Sequence, residues 1–158
     1  MAERPARGER APDFEALTDE GTPLRLSSLR GRPVVLYFYP KDSTPGCTLE
    51  ACSFRDAFPR FESLDAVVLG VSPDSVRRHA NFKRRFDLPF TLIADVDHAV
   101  AERYGVWVEK RLFGHRYMGV ARTTFLIGAD GRVLRVWDKL NVLTHAAEVA
   151  EALHGRQR

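Results

Sequence analysis

Apolar and polar residues are spaced along this chain in ways that separate strands from helices. Asp13-Phe14-Glu15-Ala16-Leu17-Thr18 alternates like a strand, Asp19-Glu20-Gly21-Thr22 is turn chemistry, and Pro23-Leu24-Arg25-Leu26 returns as a short partner strand. After the Gly31-Arg32-Pro33 interruption, Val34 to Tyr39 is a continuous apolar and aromatic run. Such a run predicts a central strand buried on both faces. Pro40 to Pro45 is a loop bounded by prolines, and from Gly46 the spacing becomes helical, with Leu49, Phe54 and Ala57 directed to a core. Pro59 lacks the N–H a helix interior needs, so this helix is expected to end or kink near Ala57–Phe58. Ala66 to Val71 predicts a second buried strand, Asp74 caps a helix to about Phe86, and Phe90 to Ile93 is a third strand. Asp97 caps a shorter helix through Tyr104. Val120 to Ile127 and Arg132 to Trp137 flank Ala129-Asp130-Gly131, a hairpin signal, and Thr144 caps a last helix to about Leu153.

The order is hairpin, β-α-β-α-β-α, hairpin, helix. Alternating strands and helices predict an α/β fold with a mixed central sheet flanked by helices, preceded by an N-terminal β-hairpin. A βαβ core, a terminal hairpin and a closing helix suit a thioredoxin-like layout. With 158 residues, 1–158 is expected to be a single domain with an ordered core over about 8–153. A composition of 44% hydrophobic and 28% charged residues is that of an ordinary globular protein. A chain of this length buries enough surface to fold without a metal or disulfide staple, which weakens a purely structural reading of its two cysteines.

Charge and segment patterns narrow the function classes. The longest strongly apolar run, Val34 to Tyr39, falls far short of the roughly 20 residues that span a bilayer, so no membrane partner is expected. The net charge is +3, and its densest patch, Arg77, Arg78, Lys83, Arg84 and Arg85, reads as a solvated helix face, so no nucleic acid is expected either. No charged-then-apolar signal segment opens the chain. Two cysteines without such a signal point to a reducing compartment, and a cytoplasmic location is expected.

Cys47 stands at the start of the first predicted helix, where unpaired backbone N–H groups and the helix dipole stabilise a thiolate and a second polar oxygen beside it. Thr44 is placed to direct a hydroxyl at that sulfur or at a bound substrate. Cys52 follows five residues later. In an intact helix that spacing separates the Cα atoms by roughly 8.6 Å, beyond the ~7 Å limit of a disulfide. If the two cysteines bond, the helix must unwind at its first turns. Cys52 alone also reads as a small core hydrophobe beside Ala51 and Phe54. None of the five histidines stands in metal-ligand spacing with either cysteine, and CxxxxC is not the CxxC of a dithiol oxidoreductase.

Pro40-Lys41-Asp42-Ser43-Thr44-Pro45-Gly46-Cys47 resembles the PxxxTxxC motif of peroxiredoxins, and Cys47 to Cys52 matches the CxxxxC arrangement of the bacterioferritin comigratory protein (PrxQ) subfamily. Ala11-Pro12-Asp13-Phe14, Leu69-Gly70-Val71-Ser72, Leu92-Ile93-Ala94-Asp95, Tyr104-Gly105-Val106-Trp107 and Thr124-Phe125-Leu126-Ile127 are similar to that subfamily too. The resemblance implies a thioredoxin fold and thiol-dependent reduction of hydrogen peroxide and organic hydroperoxides. It implies Cys47 as the peroxidatic residue, Cys52 as the resolving residue in an intramolecular disulfide, and Thr44 and Arg122 as groups that bind peroxide and activate the sulfur. The backbone N–H groups of Gly46 and Cys47 are expected to face the peroxide, and the match of Pro40 to the motif's proline implies that it shields the sulfur from water. Thioredoxin, or a glutaredoxin-like dithiol donor, is the implied reductant, with no metal, haem or flavin cofactor, and a monomer suffices for intramolecular resolution. Without the motif, Arg122 reads equally as a surface charge at a strand end. Asp138-Lys139-Leu140-Asn141-Val142 departs from the Lys-Val-rich stretch that subfamily often carries before its last helix. Two rival readings stand beside the peroxidase: a redox sensor that passes the same disulfide to a partner, and an α/β binding module with incidental thiols.

Overall fold

The computed structural model describes residues 3–156; Met1, Ala2, Gln157 and Arg158, which the single-domain expectation includes, lie outside the described residues. Strands β1 (Glu15–Thr18) and β2 (Pro23–Arg25) form the opening hairpin and lead into a 3-10 turn, Leu26–Leu29. Then follow β3 (Val34–Phe38), α1 (Pro45–Ser63), β4 (Val67–Ser72), α2 (Val76–Phe86), β5 (Thr91–Ala94) and α3 (Ala99–Arg103). The chain closes with β6 (Trp107–Leu112), β7 (His115–Val120), β8 (Thr123–Ile127), β9 (Val133–Trp137) and α4 (His145–Arg156).

Seven strands make one mixed sheet in the order β2-β1-β5-β4-β3-β8-β9. β3, β4 and β5 run parallel, joined by the α1 and α2 crossovers, while β8 lies antiparallel on the other side of β3. The last hairpin thus contributes one central strand and one edge. The opening hairpin supplies the opposite edge, through antiparallel pairing of β1 with β5. The mixed sheet flanked by helices matches the sequence expectation.

The continuous run in β3 has a direct cause: alternate residues feed two cores. Val35 and Tyr37 pack with Phe54, Phe61, Phe82, Trp137 and Val149 beneath α1, α2 and α4. Val34, Leu36 and Phe38 pack with Phe14, Tyr104 and Phe125 on the α3 side. All five β3 residues are buried. Each such side chain contributes about 1.5–3 kcal/mol of transfer free energy.

Some boundaries differ from expectation. α1 does not end at Ala57–Phe58 but continues through Pro59 to Ser63. Proline removes one hydrogen bond, but Phe61 beyond it is fully buried and packs against Phe54 at 5.9 Å, so core burial holds the last turn helical. Ser75, not Asp74, caps α2, its side chain accepting from the Arg78 N–H. His98 stands at the N-cap of α3 in the left-handed region, and the buried Asp95 carboxylate accepts the N–H groups of Val100 and Ala101. The expected strand from Val120 is split, with Val120 closing β7 and β8 beginning at Thr123. The β6–β7 hairpin, a separate two-stranded sheet, was absent from the sequence reading.

Candidate active site

α1 begins where the backbone is prepared for it. Thr44 is the N-cap with extended dihedrals and Pro45 occupies the first helical position, where a missing N–H costs nothing. Gly46 and Cys47 follow, so their N–H groups belong to the set that has no intrahelical partner. Cys47 is buried at 2% exposure, at the inner edge of the core under α1.

Arg122 enters from the short connection between β7 and β8. The β3–β8 register sets Phe38 opposite Thr123, so the residue before Thr123 arrives beside the loop that follows β3. Its Nη2 donates to the Cys47 sulfur at 3.2 Å. A Cβ on Gly46 would lie 3.4 Å from the same Nη2, so glycine leaves room for the guanidinium.

The second Arg122 nitrogen, Nη1, donates to Oε1 of Glu50, forming an ion pair with a carboxylate that is fully buried. Burial pushes the Glu50 carboxyl up to about 7, against the opposing pull of Arg122. Burial by itself works against the Arg122 cation, but Glu50 and then Cys47 outweigh it and hold the guanidinium above its ordinary value. Glu50 was missed by the sequence reading. The available signal was its i, i+3 relation to Cys47, which puts both on one helix face. Lys110 of β6 was missed as well. Burial first, then Arg122, holds its ammonium below the ordinary value, while Cys47 acts in the opposite direction.

Thr44, at the N-cap, directs its own hydroxyl hydrogen into the loop before α1. Its Oγ1 donates to the Lys41 carbonyl at 2.8 Å, which closes the loop before α1 and leaves the oxygen lone pairs as acceptors. Pro40 is half-buried just after β3 and makes no hydrogen bond with this group.

Cys52 is a free, half-buried thiol in the same unbroken helix as Cys47. It lines a surface depression with Leu49, Ser53, Ala57 and Leu143, between α1 and the segment before α4, while Cys47 faces the core. The structure therefore brings Cys47, Gly46 and Arg122 together, adds Glu50, and keeps Cys52 apart for as long as α1 is intact. A cysteine sulfur beside a guanidinium and the unpaired N–H groups of a helix start is an arrangement for nucleophilic attack with stabilisation of a departing oxyanion.

The family model described as AhpC/TSA family matches residues 7–136. Peroxiredoxin Bcp of Bacillus subtilis is 50% identical over 146 residues, covering 92% of this chain and 93% of the relative. A putative peroxiredoxin bcp of Coxiella burnetii is 52% identical over 146 residues, covering 92% of this chain and 97% of the relative. Among solved structures, the PrxQ C47S mutant of Xylella fastidiosa superposes with a TM-score of 0.92 at 33% identity, covering 98% of this chain and 99% of that one. The bacterioferritin comigratory protein of Xanthomonas campestris, studied for alkyl peroxide reduction in trapped intermediate/ligand complexes, gives 0.90 at 36% identity, covering 97% and 100%.

Proposed function

Because the chain belongs to the AhpC/TSA family, as a peroxiredoxin of the bacterioferritin comigratory protein (PrxQ) kind with thioredoxin-fold architecture and thiol peroxidase activity, we propose that Cys47 is its peroxidatic cysteine and Cys52 its resolving cysteine. The observation that carries this reading is the 3.2 Å contact from Arg122 to the Cys47 sulfur at the N-terminal turn of α1.

The Cys47 thiolate attacks one peroxide oxygen, the O–O bond breaks, and the leaving oxygen departs as hydroxide or alkoxide and takes up a proton. Arg122 and the N–H groups of Gly46 and Cys47 stabilise the charge that develops on it. Thr44, its own hydrogen bonded to Lys41, accepts the peroxide O–H. Pro40 limits water at the sulfur. Cys47 is left as sulfenic acid. The first turns of α1 then unwind, the Cys52 thiol displaces water from the sulfenic sulfur, and a Cys47–Cys52 disulfide forms. A dithiol protein, thioredoxin or a glutaredoxin-like donor, reduces it by exchange and is itself oxidised. No bound metal, haem or flavin enters these steps.

The substrates in this reading are hydrogen peroxide and organic hydroperoxides. The alkyl peroxide activity of the Xanthomonas relative supports the second class. Resolution inside one chain fits a monomer working in the cytoplasm. No described helix is long and apolar enough to cross a membrane.

A single turnover tests the assignment. Fully reduced protein is mixed with one equivalent of hydrogen peroxide, peroxide loss is followed, and the intact protein is weighed. Fast loss with a two-hydrogen mass decrease, abolished in Cys47→Ser, is expected. Loss no faster than with free cysteine would overturn the assignment. In Cys52→Ser, excess peroxide should drive Cys47 to sulfinic acid sooner than in wild type; equal resistance would remove Cys52 as the resolving residue.

A further inference from the structure

A second group of buried polar side chains lies where the loop leading into α1 meets β4 and α2. Asp42, Asp74 and His79 are 2%, 7% and 0% exposed. The Asp42 carboxylate accepts the Tyr39 hydroxyl at 2.5 Å and faces Nδ1 of His79 at 2.7 Å. Its backbone N–H donates to the Asp74 carboxylate at 2.8 Å. Asp74 is itself held by the Ser72 hydroxyl at 2.6 Å and by Arg78 at 3.0 Å, and His79 Nε2 lies 2.9 Å from the Ile93 carbonyl. The ligand atoms of Asp42, Asp74 and His79 lie within 4.8 Å of one another, but each residue already has protein partners. The group therefore reads as a tie between elements rather than a cation site.

The tie bears directly on the sulfur. Asp42 sits two residues before Thr44 and five before Cys47. Between them Ser43 holds φ at 65°, a left-handed conformation that a non-glycine residue keeps only when its flanks are fixed. One flank is Asp42, and the other is Thr44, whose hydroxyl is bonded back to Lys41. A buried carboxylate and imidazole 2.7 Å apart resist separation, because either polar partner left alone in the interior is costly.

We infer that Asp42 is a positioning residue, tying the loop that carries Thr44 and the first turn of α1 to β4, α2 and β5, and that this tie sets how oxidised Cys47 divides between two fates. This rests on the proposed roles of Cys47 and Cys52. In one fate the first turn unwinds and the sulfenic acid and the Cys52 thiol give a disulfide and water. In the other the turn stays folded, and the sulfenic acid and a second peroxide give sulfinic acid and water (or alcohol). A firm tie keeps Cys47 beside Arg122 for the attack on peroxide and delays its withdrawal towards Cys52.

The experiment compares wild type with Asp42→Ala and Asp42→Asn in the full chain. In reduced protein, hydrogen exchange of the Thr48 and Leu49 amides, the first that α1 can bond back to its opening turn, should accelerate about tenfold or more, while β8 amides stay within about twofold. In excess peroxide without reductant, the disulfide-to-sulfinic ratio by mass spectrometry should rise about fivefold or more. Asp42→Asn keeps the side-chain shape and an acceptor for Tyr39, so it decides the matter if Asp42→Ala does not fold. Unchanged exchange in the first turn, acceleration spread evenly over the chain, or an unchanged product ratio would each overturn the inference. A wild type that forms neither product would instead overturn the assignment of Cys47, and the exchange experiment would still judge the tie separately.

Discussion

Arg122 donates to the sulfur of Cys47 across 3.2 Å, although 75 positions separate the two residues in the chain. The same guanidinium bonds to Glu50, so one side chain is fixed by two groups of a single helix. Replacing Arg122 with alanine should slow peroxide loss in single turnover by about 10²- to 10³-fold, the usual cost of removing one oxyanion-stabilising donor. Arg122→Lys should recover only part of it, because an ammonium cannot fork to Glu50 and the sulfur together. Rapid-mixing kinetics of the two variants, with circular dichroism to verify folding, checks both statements.

Glu50 gives a pH signature of known sign. Its carboxyl is raised from 4.5 unfolded to about 7 folded, chiefly by burial. A raised carboxyl binds its proton more tightly in the folded state. The stabilisation is therefore complete below about pH 4.5 and is lost as pH rises to about 7, by roughly 3 kcal/mol at most. In Glu50→Gln this loss should vanish, which urea unfolding from pH 4 to 8 measures directly.

His145 acts in the opposite direction on the pH scale. Burial, with Arg122 and Arg135 nearby, lowers it from 6.5 to about 4. Its Nε2 bonds to Thr124 at 2.8 Å while Nδ1 is buried without a partner, an environment for a neutral ring. A histidine that resists protonation when folded contributes stability above about pH 6.5, lost as pH falls towards 4. His145→Gln should flatten the acid side of the stability curve, and a double variant with Glu50→Gln should flatten both sides.

Gly70 in β4 tests the packing of the sheet face. A Cβ there would come within 2.8 Å of Tyr37 Cζ and 3.0 Å of Leu92 Cδ2. Tyr37 cannot give way easily, because it stacks on Phe54 at a centroid distance of 4.5 Å. Gly70→Ala is expected to cost about 1–3 kcal/mol, visible as a melting temperature lowered by several degrees.

The elements that carried strong hydrophobic patterns were readable in advance. β3 and β4 announced themselves as continuous apolar runs, and the start of α1 followed from Pro45 and the residues around it. The β6–β7 hairpin gave no such signal. Trp107 to Leu112 and His115 to Val120 mix charges with large residues and leave Phe113 at its turn 93% exposed, so there is no buried face to impose a period of two. Pro59 does not stop the helix, because the burial of Phe61 beyond it overrides the local rule. The site was partly legible. Cys47 and Arg122 stand out through the motif, whereas nothing local in the sequence distinguishes Glu50 and Asp42 from solvated carboxylates. Their importance lies in burial and in partners 72 and 37 positions away, which no local pattern encodes. Asp74 reads as a helix cap from its local sequence, but its carboxylate is taken up by Ser72, by Arg78 and by the remote backbone N–H of Asp42, and Ser75 caps the helix instead.

The pairing of β3 with β8 has a consequence for how the protein is made. Phe38 meets Thr123, and that register brings Arg122 to the side of the sheet where it reaches the sulfur. A chain emerging from the ribosome therefore exposes Cys47 long before its guanidinium partner exists. β3, β4 and β5 can assemble in that interval, since their crossovers are complete by residue 94. The thiol meets its cation only when the late strand slides into place beside the early one. A slip of one residue in that docking would turn every β8 side chain to the opposite core and leave a folded-looking molecule with an unpartnered sulfur.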